Sequence, residues 1–93
     1  MKLWWTSKAR DDLARLHEFL APVNPRAAAK AVRALTRVPR ALGKNPRMGE
    51  LLDAYAPREV RRLLVGQYEL RYEVRLQEQD VVVLRVWHTR EHR

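Results

Sequence analysis

Three consecutive segments decide the fold: Arg58-Glu59-Val60-Arg61-Arg62-Leu63-Leu64-Val65, then Tyr68-Glu69-Leu70-Arg71-Tyr72-Glu73-Val74, then Val81 to Val86 running into Trp87-His88-Thr89-Arg90-Glu91. In the middle segment Leu70, Tyr72, Val74 and Leu76 alternate with Glu69, Arg71, Glu73 and Arg75. A period of two sets one face of a strand on a core and leaves the other charged. Gly66-Gln67 suits a tight hairpin turn, and Gln77 to Asp80 a second. Three antiparallel strands in sequence are therefore expected.

Working back toward the N-terminus, Lys2 to Trp5 reads as a short first strand, and Thr6-Ser7 as the N-cap of a helix with Asp11 and Asp12 near its first turn. Ala9, Leu13, Leu16 and Leu20 recur at helical spacing, and Pro22 ends the run. Asn24-Pro25 opens a second helix as cap and first-turn proline, with Ala28, Ala31, Leu35, Val38 and Leu42 as its apolar stripe. Its other side carries Arg26, Lys30, Arg33, Arg37, Arg40 and Lys44, which at about 100° per residue span a band roughly 80° wide. Pro39 cannot donate to the Leu35 carbonyl, so a kink is expected near Val38 with both stripes continuing beyond it. Gly43 to Pro57 is loop by composition. The expected architecture is α+β: strand, helix, helix and three strands, with an antiparallel helical hairpin on a four-stranded antiparallel sheet.

The 93 residues suffice for a single domain, 1–93, with one thin core. The absence of cysteine excludes disulfides and thiolate metal sites, and the start of the chain lacks the apolar run of a signal peptide. No apolar run approaches the roughly 20 residues of a membrane span, so a soluble cytoplasmic protein without a membrane partner is expected. The net charge is +8, of which +6 falls in residues 1–57, and no acidic residue lies between Phe19 and Gly49. Such a field favours an acidic protein segment or nucleic acid, and charge alone leaves direct nucleic-acid binding open.

Chemistry of the usual kinds finds little support. His88-Thr89-Arg90-Glu91-His92 matches a zinc-peptidase pattern, but that chemistry needs a helix and a distant further ligand. No nucleophile stands beside a base and an orienting acid, and the three isolated glycines form no phosphate loop. No metal and no cofactor are expected. An RNA-cleaving site could be assembled only from His88 as the titrating group with guanidinium clamps from Arg61, Arg71, Arg85 and Arg90. Ion pairing of the sheet arginines with Glu69 and Glu73 is the plainer reading.

Read in order, Trp5, Ala9, Asp12-Leu13, Asn24-Pro25-Arg26-Ala27-Ala28, Leu42, Pro46, Gly49, Arg58-Glu59-Val60, Tyr68-Glu69-Leu70-Arg71-Tyr72 and Trp87-His88-Thr89-Arg90-Glu91 resemble the RelE/ParE superfamily of bacterial type II toxin–antitoxin toxins. The resemblance covers nearly the whole chain and implies the same sandwich. RelE-like members are ribosome-dependent mRNA endonucleases with clustered Lys and Arg on the sheet and an arginine after the tyrosine that opens the third strand. Here Glu69 follows Tyr68, and the hairpin strands carry no Lys. The chain is more similar to the ParE-like branch of plasmid-stabilisation type, which poisons DNA gyrase by contact and is not an enzyme.

On this resemblance the expected partners are a cognate antitoxin and DNA gyrase. Target contact is expected from Arg58, Arg61, His88, Arg90, Arg93, Arg33, Arg37 and Arg40, and antitoxin contact from Leu16, Leu20, Leu35, Arg71 and Arg85. The alternatives are a RelE-like interferase using Arg61, Arg71, Arg85, His88 and Arg90, and a non-toxic member that retains antitoxin binding.

Overall fold

The computed structural model describes residues 1–91. Its elements run β1 (Lys2–Trp5), α1 (Ser7–Leu20), α2 (Pro25–Arg37), a 3₁₀ helix (Val38–Gly43), β2 (Glu50–Leu51), a short 3₁₀ turn (Asp53–Tyr55), β3 (Glu59–Val65), β4 (Tyr68–Arg75) and β5 (Asp80–His88). Both helix starts form as their sequences dictate. Thr6 accepts from the Ala9 amide at 3.1 Å and Asn24 from the Ala27 amide at 3.1 Å, each satisfying one of the orphan donors of a first turn.

The sheet has five strands in the order β1-β5-β4-β3-β2, and it is mixed rather than antiparallel throughout. The two hairpins set β3, β4 and β5 antiparallel, with Gly66 at φ +59 between Val65 and Tyr68. No turn fixes the direction of β1, which docks parallel to β5 with Trp5 opposite Val83. The fifth strand is a two-residue edge inside the expected loop, Glu50 opposite Arg62 and Leu51 opposite Arg61. Leu76, expected on the core face, is exposed because β4 ends at Arg75 and the turn begins there.

The core lies between the helices and one sheet face: Ala9, Leu16, Leu35 and Leu42 meet Leu70, Tyr72, Val74, Val81, Val83 and Val86. The expected kink at Pro39 does not form, because the α-helix ends at Arg37. The chain passes into 3₁₀ geometry at Val38, where i→i+3 bonding tolerates the missing N–H, and about 120° per residue carries Pro39 and Leu42 into the core. The same winding leaves Val38 exposed, although its position in the apolar stripe predicts burial. Tyr72 anchors the following loop: its hydroxyl accepts from the Gly49 amide at 2.8 Å and donates to the Pro46 carbonyl at 2.7 Å.

Candidate functional site

Beyond Trp5 the edge of β5 has no strand partner, and α1 covers it with side chains. Thr6 Oγ1 donates to the Leu84 carbonyl at 3.0 Å, Asp12 Oδ2 accepts the Val86 amide at 2.8 Å, and Arg15 donates to the Val86 carbonyl at 3.3 Å. Asp12, placed by sequence near the helix start for its charge, is instead buried against the strand and holds Arg85 through two bonds of 2.9 and 3.2 Å. Burial pushes the Asp12 carboxyl up, but Arg85, the Val86 amide and Arg15 together outweigh it and hold it below its usual range. A helical wheel carries this signal, because Asp12 sits beside the stripe, three residues after Ala9 and four before Leu16.

The far end of that edge opens into an apolar groove of about 490 Å³ between α1 and the tail, floored by Leu16, Leu20 and Tyr68 and rimmed by Arg15, Phe19 and Arg90. Phe19 and, past the helix end, Val23 are 78% and 87% exposed, so substantial apolar surface faces solvent at this end of α1. The tail is folded into place. Arg15 pairs with Glu91 at 2.7 Å, and the His88 ring accepts from the Arg90 amide at 3.1 Å, lies 3.3 Å from the Gln67 carboxamide oxygen and packs edge-on to Tyr68 at 5.3 Å. Thr89 to Glu91 form a turn, not the helix a zinc-peptidase motif requires. His92 of that pattern and Arg93 of the expected target contacts lie outside the described residues.

The sheet face away from the helices carries a row of three arginines. Arg62 lies opposite Arg71 and Arg71 opposite Arg85, an arrangement of like charges that costs energy unless carboxylates intervene. They do: Glu50 pairs with Arg62, buried Glu69 bonds Arg71 at 2.7 Å, and Asp12 bonds Arg85. A bulge at Leu84 keeps Arg85 in register with Arg71. Both guanidiniums stack on Trp87, at 4.8 and 5.0 Å from its ring, and Arg71 also donates to the Tyr55 hydroxyl at 2.8 Å. This face is thus not the open charged surface that alternation predicts; Glu69 and Glu73 are buried by their own arginines.

Arg61 is on the opposite face, since it pairs with core-facing Tyr72. It donates to the Gly49 carbonyl at 2.7 Å and to Glu59 at 2.8 Å, and Arg47 grips the same carboxylate at 2.9 and 3.0 Å. Arg58 is held by Glu73 through two bonds of 3.0 Å. The five residues of the RNA-cleaving reading are therefore dispersed: Arg61 on one face, Arg71 and Arg85 on the other, His88 at the end of β5 and Arg90 in the turn beyond it. Leu35 of the expected antitoxin contacts is fully buried and offers a partner no surface, whereas Leu16 and Leu20 line the groove. Arg33, Arg37 and Arg40 form a separate exposed face on α2 and its 3₁₀ extension. Among the described residues no three His, Asp or Glu side chains converge as a metal site, and no helix is long and apolar enough to cross a membrane.

Two helices packed on a mixed five-stranded sheet define an α+β fold of the RelE/ParE class. Residues 3–93 match the family described as the ParE toxin of the type II toxin–antitoxin system parDE, and the chain belongs to that family. No curated protein sequence matches it. Among solved structures it is similar to a chain of the chromosomal ParDE toxin–antitoxin system from P. aeruginosa, with TM-score 0.78, 24% identity and 95% of each chain covered. It is also similar to a chain of the RelBE2 toxin–antitoxin complex from Mycobacterium tuberculosis, with TM-score 0.60, 29% identity, and 94% of this chain and 95% of that one covered.

Proposed function

We propose that this toxin acts by protein contact on DNA gyrase, without chemistry of its own, and is neutralised by a cognate antitoxin seated in the groove between α1 and the tail. One observation carries the first half: the cationic groups that RNA cleavage would need together are on different faces and held by carboxylates, Arg61 by Glu59, Arg71 by Glu69 and Arg85 by Asp12. A guanidinium neutralised in this way is a poor stabiliser of a developing phosphorane charge. The His88 ring has one nitrogen already engaged by the Arg90 amide. Target contact then falls to Arg58, Arg90 and the exposed arginines Arg33, Arg37 and Arg40, with Arg61 and His88 shaping the surfaces behind them.

Support for the second half is the exposed Phe19 over a groove floored by Leu16 and Leu20, beside basic Arg15 and Arg90, which suits an acidic, partly apolar helix or extended segment. The experiment is to incubate purified toxin with gyrase and supercoiled plasmid, and in parallel with a translation extract. Loss of supercoiling with linear DNA released by detergent and protease, and intact transcripts, is the expected result. Transcript cleavage that depends on translation and disappears in His88→Ala, with gyrase unaffected, would move the function to the RelE-like branch.

A further inference from the structure

We infer that the band Arg26, Lys30, Arg33, Arg37 and Arg40 is a binding surface for the phosphate backbone of duplex DNA. Each of the five side chains is exposed, and none makes an ion pair among the described residues, whereas nearly every arginine of the sheet is matched to a carboxylate. A solvated helix face ordinarily mixes signs to gain attractive i,i+4 pairs; here Arg26 with Lys30 and Arg33 with Arg37 repel at that spacing. The fold concentrates this charge further. Three residues make one 3₁₀ turn, so Arg40 stands directly above Arg37, and Lys30, Arg33, Arg37 and Arg40 share one surface depression of about 320 Å³. Lys44, four residues past Arg40 in that winding, is rotated about 120° off the band, which holds five cations rather than six.

The shape of the band selects the anion. From Arg26 to Arg40 it runs roughly 22 Å, eleven steps of about 1.5 Å and three of about 2.0 Å. One strand of B-DNA presents a phosphate every 3.4 Å of axis, so about six phosphates pass along that length. Ala27, Ala29, Ala34 and Thr36 flank the band, small enough for a rod to approach closely, and the Thr36 hydroxyl is already donated to its own helix at Val32 and Arg33. No aromatic side chain stands on the band to stack unpaired bases, which argues against single strands. The apolar side chain exposed among the arginines is Val38, at 37% and too small to anchor an acidic peptide; the exposed aromatics Trp4 and Phe19 belong to β1 and α1. The band includes the Arg33, Arg37 and Arg40 proposed above for target contact, but the inference rests on their charge and geometry alone and is tested without gyrase.

The test is fluorescence anisotropy of a labelled 20-bp duplex titrated with toxin across a salt series. Five phosphate contacts predict a slope of log affinity against log salt of about −4.5 for the wild type. Arg33→Gln/Arg37→Gln is expected to flatten that slope by about 2 and weaken binding roughly tenfold or more at low salt. Lys2→Gln/Lys8→Gln, with the same change in net charge at exposed sites off the band, is expected to leave the slope unchanged, and Arg33→Lys/Arg37→Lys to retain it. All sites are exposed, so circular dichroism and urea midpoints should match the wild type. Equal losses in the two neutralised variants would assign binding to net charge and overturn the inference. So would tighter binding to a 20-nucleotide single strand, or unchanged DNA binding by the Arg33/Arg37 variant. Failure of this inference leaves the supercoiling assay untouched, and failure of gyrase inhibition leaves the slope untouched.

Discussion

Asp12 is the residue on which the register of α1 against β5 depends. Its carboxylate satisfies a buried strand amide and two guanidiniums, and removing it leaves the Val86 N–H without a partner in a place water cannot easily reach. Asp12→Ala is expected to cost about 2–3 kcal/mol by urea denaturation, with Asp12→Asn recovering part of the loss through its remaining acceptor. Gly49 has a different constraint: a Cβ there would lie 2.6 Å from the Arg62 carbonyl and 2.8 Å from the Tyr72 hydroxyl. Gly49→Ala should therefore destabilise by about 1–3 kcal/mol, and a stability equal to wild type would show that the loop shifts freely. Glu59 makes the pH prediction. The bond from Arg47, aided by Arg61 against burial, lowers its carboxyl from 4.5 to about 2. A carboxyl depressed in the folded state stabilises above its unfolded value and loses that contribution as pH falls through the folded one. Glu59→Gln should thus be less stable than wild type at pH 7, and the urea midpoints of the two should converge between pH 4.5 and about 2.

At the scale of elements, the local signals were the legible ones. Thr6 and Asn24 mark both helix starts because a cap is written in one residue and its immediate neighbours. Gly66-Gln67 likewise marks a hairpin. What the sequence could not carry was pairing across the chain: β1 and β5 are joined by no turn, and Glu50–Leu51 is too short to show a period. Pro39 lies between these cases. The lost N–H is legible, but the choice of 3₁₀ winding over a kink depends on where Leu42 must land. Restoring the donor in Pro39→Ala would permit α geometry, whose rise of about 1.5 rather than about 2.0 Å per residue draws Leu42 back along the axis from its place in the core. The expectation is a loss of about 1–2 kcal/mol from misplaced packing and a freer unfolded chain, read from the urea midpoint. A gain would mean that the core tolerates either winding and that Pro39 alone imposes the tighter one.

For the whole molecule, sequence exposed the charge asymmetry but not its partition between faces. The strict alternation Glu69, Arg71, Glu73, Arg75 looks like a free charged surface, yet those residues largely neutralise one another, and the unmatched charge is concentrated on α2 and its 3₁₀ extension. The apolar groove was invisible for the opposite reason: its wall joins α1 to a tail more than 60 residues later in sequence. A 93-residue domain with one thin core and an exposed Phe19 should gain stability from whatever covers that groove, because a ligand that binds only the folded state stabilises by mass action, by about 2.7 kcal/mol at a hundred times its Kd. Melting of the free toxin, and of the toxin with the product of its neighbouring gene, tests this directly. Phe19→Asp, at a side chain 78% exposed, should leave the free toxin's midpoint near wild type while abolishing most of the gain from the partner. An undiminished gain in that variant would place the partner on another surface, and the arginine row of the open sheet face would then be the next to probe, by Arg62→Ala and Arg71→Ala.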